Sequence, residues 1–145
     1  GGLQIAGGEA EWTRFGHREL LTRQCVDILQ PEVAATGGIS EFMKILAMAH
    51  AFGTPVLPHV WGSDVLIAVD MHLLAAIPDL PGGLHQFEPM LEYDTTPNLF
   101  HSRLLVEPLA ILEQVRTQKG RVRPPEGPGI GIDLDADFIA RYRVA

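Results

Sequence analysis

Gly53-Thr-Pro-Val-Leu-Pro-His-Val-Trp-Gly-Ser63 is the stretch whose reading decides the fold. Its apolar run, Pro55 to Pro58, delivers one ionisable ring, His59. The small-residue turn at Gly62 and Ser63 then opens an apolar helix predicted over 64–77. A strand that ends in a chemically able residue and turns at once into a helix is how α/β enzymes place catalytic groups. The same pattern recurs three times. Leu3–Ala6 leads through Gly7 and Gly8 to Glu9, Val26–Gln30 leads through Pro31 to Glu32, and Phe87–Leu91 leads to Glu92. Successive polar residues are separated by 23, 27 and 33 positions. A (β/α)8 barrel spends about 30 residues on each unit. Consecutive βα units with parallel strands near 3–6, 26–30, 55–58 and 87–91 are therefore predicted, each presenting one polar residue at the carboxyl end of its strand.

Helices fill the gaps. Thr13 to Gln24 has Phe15, Leu20 and Leu21 at inward positions, with His17, Arg18, Glu19 and Arg23 expected on the surface. A loop of small residues, 34–38, precedes a helix that Ser40 is placed to cap and Gly53 to end. Ile39, Phe42, Met43, Leu46 and Ala49 share one side of it at helical spacing. Beyond Glu92 the periodicity fails. Leu104–Val106 is a brief apolar run, and Asp135 to Tyr142 suits a last short helix. Gly127-Pro-Gly-Ile-Gly131 lacks lysine and does not sit between strand and helix, so it reads as a turn rather than a phosphate loop.

Composition bounds the function. With 145 residues, one domain with an adequate core is the expectation. A net charge of −7 argues against a nucleic-acid surface, which needs a basic stripe. Arg121, Arg123, Arg141 and Arg143 gather near the end, but acidic residues interrupt them and they read as solvated surface. The most apolar stretch, Val65 to Ile77, is too short to span a bilayer and carries Asp70 and His72, so no membrane role is expected. Cys25 is the single cysteine, which leaves no disulfide framework and points to a reducing, cytoplasmic setting. It is expected to be buried as a small apolar side chain. The chain opens Gly-Gly-Leu-Gln and enters a strand almost at once, as the carboxyl-terminal part of a longer protein would.

Strand ends in a barrel converge on one mouth, which gathers Glu9, Glu32, His59 and Glu92 around one cavity. Three carboxylates and an imidazole suit a divalent-metal site or general acid–base work. The plainer alternative is four exposed loop residues, which their matched positions disfavour.

Five motifs carry a resemblance. Ala6–Glu9 (A-G-G-E), Gln30–Ser40 (Q-P-E-V-x-x-x-G-G-I-S), Pro58–Ser63 (P-H-V-W-G-S), Leu91–Asp94 (L-E-Y-D) and Pro128–Asp135 (P-G-I-G-I-D-L-D) resemble, in order and spacing, the mandelate racemase and muconate lactonizing enzyme branch of the enolase superfamily. The resemblance implies an α/β fold: the carboxyl-terminal half of a modified (β/α)8 TIM barrel, strands five to eight, in residues 1–102. Residues 103–145 would return towards an amino-terminal capping domain. It implies that Glu9 is one of three carboxylate ligands to Mg²⁺, and that His59 is the general base or acid. Glu32 stands where the family carries an aspartate that orients the histidine, so a hydrogen bond from His59 to Glu32 is expected. Glu92 is similar to the carboxyl group that bonds a substrate carboxylate oxygen.

The implied chemistry is Mg²⁺-dependent removal of the proton α to a carboxylate. Such a proton is weakly acidic, so the enediolate needs a Lewis acid and a poised imidazole. Dehydration of an acid sugar is the expected outcome, with racemisation or epimerisation as the alternative. A catalytically silent barrel piece serving as a binding or assembly module is the rival from another class. The partners implied are a small carboxylate substrate, the rest of the barrel with its cap, and further copies in a homo-oligomer.

Overall fold

The computed structural model describes residues 2–78 and 88–144. These fall into two compact units, one of Gly1–Val60 with Leu73–Glu92 and the other of Trp61–His72 with Tyr93–Ala145.

In the first unit, β1 (Ala6–Gly7) pairs in parallel with β2 (Ile28–Leu29), Gly7 opposite Leu29. Leu29 forms a further parallel bridge with Val56. Gln30 N–H donates to Gly7 O at 2.8 Å, Leu29 N–H to Pro55 O at 2.9 Å and Leu57 N–H to Leu29 O at 2.9 Å. Three of the four predicted strands thus lie side by side in chain order and in parallel, as a run of βα units requires. The fourth differs. Phe87 lies outside the described residues, and 88–91 form no strand. Pro89 has no N–H to give a ladder, which works against strand pairing there.

The helices α1 (Thr13–Thr22), α2 (Val33–Thr36) and α3 (Ile39–Ala51) complete this unit. α3 buries Phe42, Ile45, Leu46 and Ala49, the three-four spacing of an inward stripe. Ile39 and Met43, expected on that stripe, are exposed instead. Gly38 stands at the N-cap with no side-chain hydrogen bond, and Ser40 is already inside the helix, so the expected serine cap does not form. Gly53 does end α3, at φ 69° with its N–H on His50 O at 3.0 Å. Of the loop expected over 34–38, residues 34–36 are helical as part of α2, and Gly37 closes the turn at φ 114°.

Arg14 ties α1 to α3. Its guanidinium reaches both Glu41 oxygens at 3.0 and 2.8 Å, and its backbone N–H donates to the same carboxylate at 3.0 Å. That backbone bond, more than the neighbouring charges, holds the Glu41 carboxyl below its ordinary range. The docking sets the face α1 buries, and it reverses two expectations. His17 and Leu21, one turn apart, are buried, while Phe15 faces outward under the Arg14 guanidinium at 4.9 Å. His17 Nδ1–H donates back to Thr13 O at 2.9 Å, so the ring satisfies one polar atom inside its own helix. Cys25, expected inside, is exposed in the turn before β2. Leu3 and Ile5, just before β1, are 95% and 61% exposed, and among the described residues β1 pairs on its β2 side alone.

The second unit holds the start of α4 (Asp64–Ala76), then α5 (Leu99–Ser102), α6 (Ile111–Thr117) and α7 (Ala136–Arg141). α4 forms as predicted and buries Ile67, Ala68 and Met71. The apolar run at 104–106 finds a partner in an antiparallel bridge, Leu105 with Leu134. Asp135 caps α7, its Oδ1 accepting from Phe138 N–H at 2.8 Å. Phe138 packs against Phe100 and Tyr142 at ring separations of 6.1 and 4.8 Å. Gly127–Gly131 is a turn, and the four late arginines are exposed. Among the described residues no helix is long and apolar enough to cross a membrane.

Candidate active site

The parallel register sets the site. Gly7, Leu29 and Val56 stand abreast, and Glu9, Glu32 and His59 each follow two or three residues later. All three therefore leave the same, carboxyl end of the strands, where α/β folds place ligands.

Glu9 is exposed on the turn made by Gly8, whose φ of 124° suits glycine. Its Oε2 accepts from Gly8 N–H at 3.2 Å. Glu32 occupies the N-cap of α2 in an extended conformation, and its backbone carbonyl accepts from Thr36 N–H at 2.9 Å. Its carboxylate makes no cap bond to the helix.

His59 is held by its backbone and by its ring. Its backbone N–H donates to Pro31 O at 3.2 Å, which ties it to the end of β2. Its Nδ1 lies 3.0 Å from Glu92 Oε2, and the same oxygen accepts from Val60 N–H at 3.0 Å. The His59 and Glu92 side chains retain 25% and 40% of their exposure, so the pair is lodged but open to a ligand. Sequence reasoning joined His59 to Glu32 and left Glu92 for substrate. The structure brings His59 and Glu92 together, and no hydrogen bond links Glu32 to His59 among the described residues. No linear signal distinguishes the two carboxylates, since the choice depends on where two loops converge.

A second gathering, absent from the sequence reading, lies in the other unit. The His101 ring donates from Nε2 to Gly62 O and stacks on Tyr93 at 6.4 Å. Asp64 is 3% exposed, and burial pushes its carboxyl up to about 6 against the pull of His101. Burial, with Asp64 and Asp94 close by, raises the Tyr93 hydroxyl above its ordinary value. Asp94 is held low by the Thr96 hydroxyl and N–H. Tyr93, Asp94, Asn98, His101 and Leu112 border a cavity of about 400 Å³.

Among the described residues no three His, Cys, Asp or Glu side chains converge to hold a metal ion. Glu9 nevertheless suits one: it is an accessible hard-oxygen donor, and its single bond is a 3.2 Å contact from the adjacent Gly8 N–H. By its chemistry it fits as one oxygen ligand of such a set.

Residues 1–138 match the family described as enolase C-terminal domain-like. The D-galactarolactone cycloisomerase of Agrobacterium fabrum is 37% identical over 142 residues, 98% of this chain and 36% of that protein. The arabinonate dehydratase of Saccharolobus solfataricus is 30% identical over 141 residues, 97% of this chain and 34% of that protein. The crystal structure of the 3,6-anhydro-D-galactonate cycloisomerase from Zobellia galactanivorans superposes with a TM-score of 0.74 at 30% identity, over 97% of this chain and 36% of that one. The chain thus spans about a third of the length of the curated relatives it matches.

Proposed function

We propose, from the premise that this chain belongs to the enolase C-terminal domain-like family, that it supplies the carboxyl-terminal half of the barrel of an enzyme that removes the proton α to the carboxylate of an acid sugar. Loss of a β-oxygen leaving group then follows. If that group is a hydroxyl the reaction is a dehydration, and if it is a ring oxygen it is a cycloisomerisation. One chemistry covers both kinds of sugar-acid relative.

The observation that carries this reading is the fixing of His59 at the strand ends. A carboxylate can only accept, so the contact with Glu92 places a proton on Nδ1 and leaves the Nε2 lone pair for substrate. Nε2 takes the α-proton or, as the imidazolium so formed, returns one to the departing oxygen. Glu9 is the residue of this chain that would hold Mg²⁺. When bound, the ion supplies Lewis-acid stabilisation of the charge gathering on the substrate carboxylate. Glu32, at the same strand end and with no hydrogen bond to its carboxylate among the described residues, is available to substrate hydroxyls or to the rest of the barrel. Exposed Leu112, Val115, Ile139 and Tyr142 support the packing of residues 103–145 on a capping domain.

The test is incubation of the full-length protein with Mg²⁺ and a panel of acid sugars and their lactones in D2O. Release of the β-oxygen with loss of the α-proton, and one deuterium delivered to the β-carbon as the enol ketonises, is expected for at least one member. Exchange without elimination identifies racemisation or epimerisation instead. Neither elimination nor α-exchange in any member, with the metal bound, contradicts the reading.

A further inference from the structure

We propose that Asp64 and His101 form a one-proton latch that fixes α5 (Leu99–Ser102) to the first turn of α4 (Asp64–Ala76). The latch is closed while the pair holds a proton and released when it holds none.

The parts lie within the second unit. From α5 the His101 ring donates through Nε2 to Gly62 O, two residues before α4 begins. Nδ1 is left with a lone pair, and it is buried with no hydrogen-bond partner among the described residues. Tyr93 stacks on the ring at 6.4 Å and restrains its plane. Asp64 stands in the first turn of α4 and is 3% exposed. Its Oδ2 is likewise buried without a partner among the described residues. Burial drives this carboxyl towards its protonated form and His101 draws it the other way, so the two groups act on each other. Among the described residues the other ionisable groups involved are Tyr93, beside Asp64, and Asp94, beside His101 and Tyr93. Asp94 is committed to the Thr96 N–H and hydroxyl. No lysine or arginine among the described residues acts on Asp64.

Two buried atoms that can only accept are satisfied by one proton. With the proton on Asp64, the carboxyl is a donor and Nδ1 an acceptor. With it on His101, a carboxylate meets an imidazolium. Both arrangements are complementary, and they titrate as a unit. Without the proton, a buried carboxylate and a lone pair lie together with no donor between them, a costly state that hydration relieves. α5 is the element that can yield. It has four residues, held by the Asn98 cap on Phe100 N–H at 2.9 Å and by Arg103 N–H on Leu99 O at 3.0 Å. α4 has 13 residues and is anchored by buried Ile67, Ala68 and Met71. Release of α5 lets water reach Asp64 and moves Leu99 and His101, two of the residues that border the cavity of about 400 Å³. Because the folded-state carboxyl is raised, to about 6, the latch is closed below that value and loosens as pH rises through it.

The experiment follows backbone amide exchange of the full-length protein by mass spectrometry at about pH 5 and about pH 8, with each rate divided by the intrinsic rate of the unstructured peptide at that pH. Peptides covering Leu99–Arg103 should lose protection about tenfold between the two conditions, while those covering α1 (Thr13–Thr22) should change little. Asp64→Asn cannot ionise and should keep α5 closed at both. His101→Phe keeps a ring against Tyr93 but has neither the bond to Gly62 nor the shared proton. Its α5 should be as open at the lower pH as that of the unmodified protein at the higher. If Asp64→Asn fails to fold, His101→Phe decides. Equal protection of α5 at both pH values in the unmodified protein would overturn the proposal. So would the same pH-dependent loss in Asp64→Asn, or an α5 that stays protected at the lower pH in His101→Phe.

Discussion

His59 Nδ1 and Glu92 Oε2 lie 3.0 Å apart although 33 residues separate them in sequence. The contact fixes which ring nitrogen is left for a ligand, and α4 (Asp64–Ala76) lies between the two residues in sequence. Proton-transfer groups gain from being held before substrate arrives, because the cost of orienting them is met in folding rather than in catalysis.

Glu9→Gln should weaken Mg²⁺ binding to the full-length protein by about tenfold or more, since a hard dication loses one anionic oxygen ligand. Isothermal titration with the metal alone measures this. Unchanged affinity would place the metal elsewhere.

Two glycines of one turn offer a paired measurement. A methyl group on Gly131, at φ 70°, would meet Pro125 O at 2.7 Å, whereas one on Gly129, at φ 65°, meets nothing within 4 Å. Gly129→Ala should cost about 1 kcal/mol through the left-handed backbone alone. Gly131→Ala adds a clash with backbone that cannot swing away, for a total of about 2–3 kcal/mol. Urea unfolding of the two variants checks the order, and equal losses would show that the turn relaxes.

Asp64 sets a pH dependence of stability. Its carboxyl is raised from 3.8 to about 6 by burial, so between those values the folded chain keeps a proton that the unfolded chain releases. Stability on this account is unaffected below the unfolded value, falls as pH rises towards 6, and stays lowered above it. Asp64→Asn removes the effect. Relative to the unmodified protein it should gain about 1–2 kcal/mol between pH 4 and pH 7, read from unfolding midpoints at each pH. A difference that does not grow with pH would mean that the carboxylate is well accommodated when ionised.

The parallel strand order was legible because apolar runs such as Pro55–Leu57 end abruptly in Gly, Pro or a charged residue, and local chemistry sets such ends. Glu9, Glu32 and His59 could be placed at one end of the sheet for the same reason. What escaped the sequence depends on contacts between distant segments. The burial of His17 follows from how Arg14 docks α1 on Glu41, 27 residues away. The choice of Glu92 over Glu32 as the partner of His59 is of the same kind, for both are carboxylates one βα unit from the histidine. Asp64 opens α4 and His101 lies in a segment without periodicity, and nothing in their spacing marks them as neighbours.

The central claim is that His59 Nε2 transfers the α-proton, and His59→Asn in the full-length enzyme tests it most directly. The variant is loaded with Mg²⁺ and given a substrate that the unmodified enzyme turns over in D2O, while exchange and loss of the substrate's α-proton are followed by NMR. The account predicts that exchange falls by at least about a hundredfold with metal affinity unchanged, the scale of losing a general base. Exchange at the rate of the unmodified enzyme would contradict it.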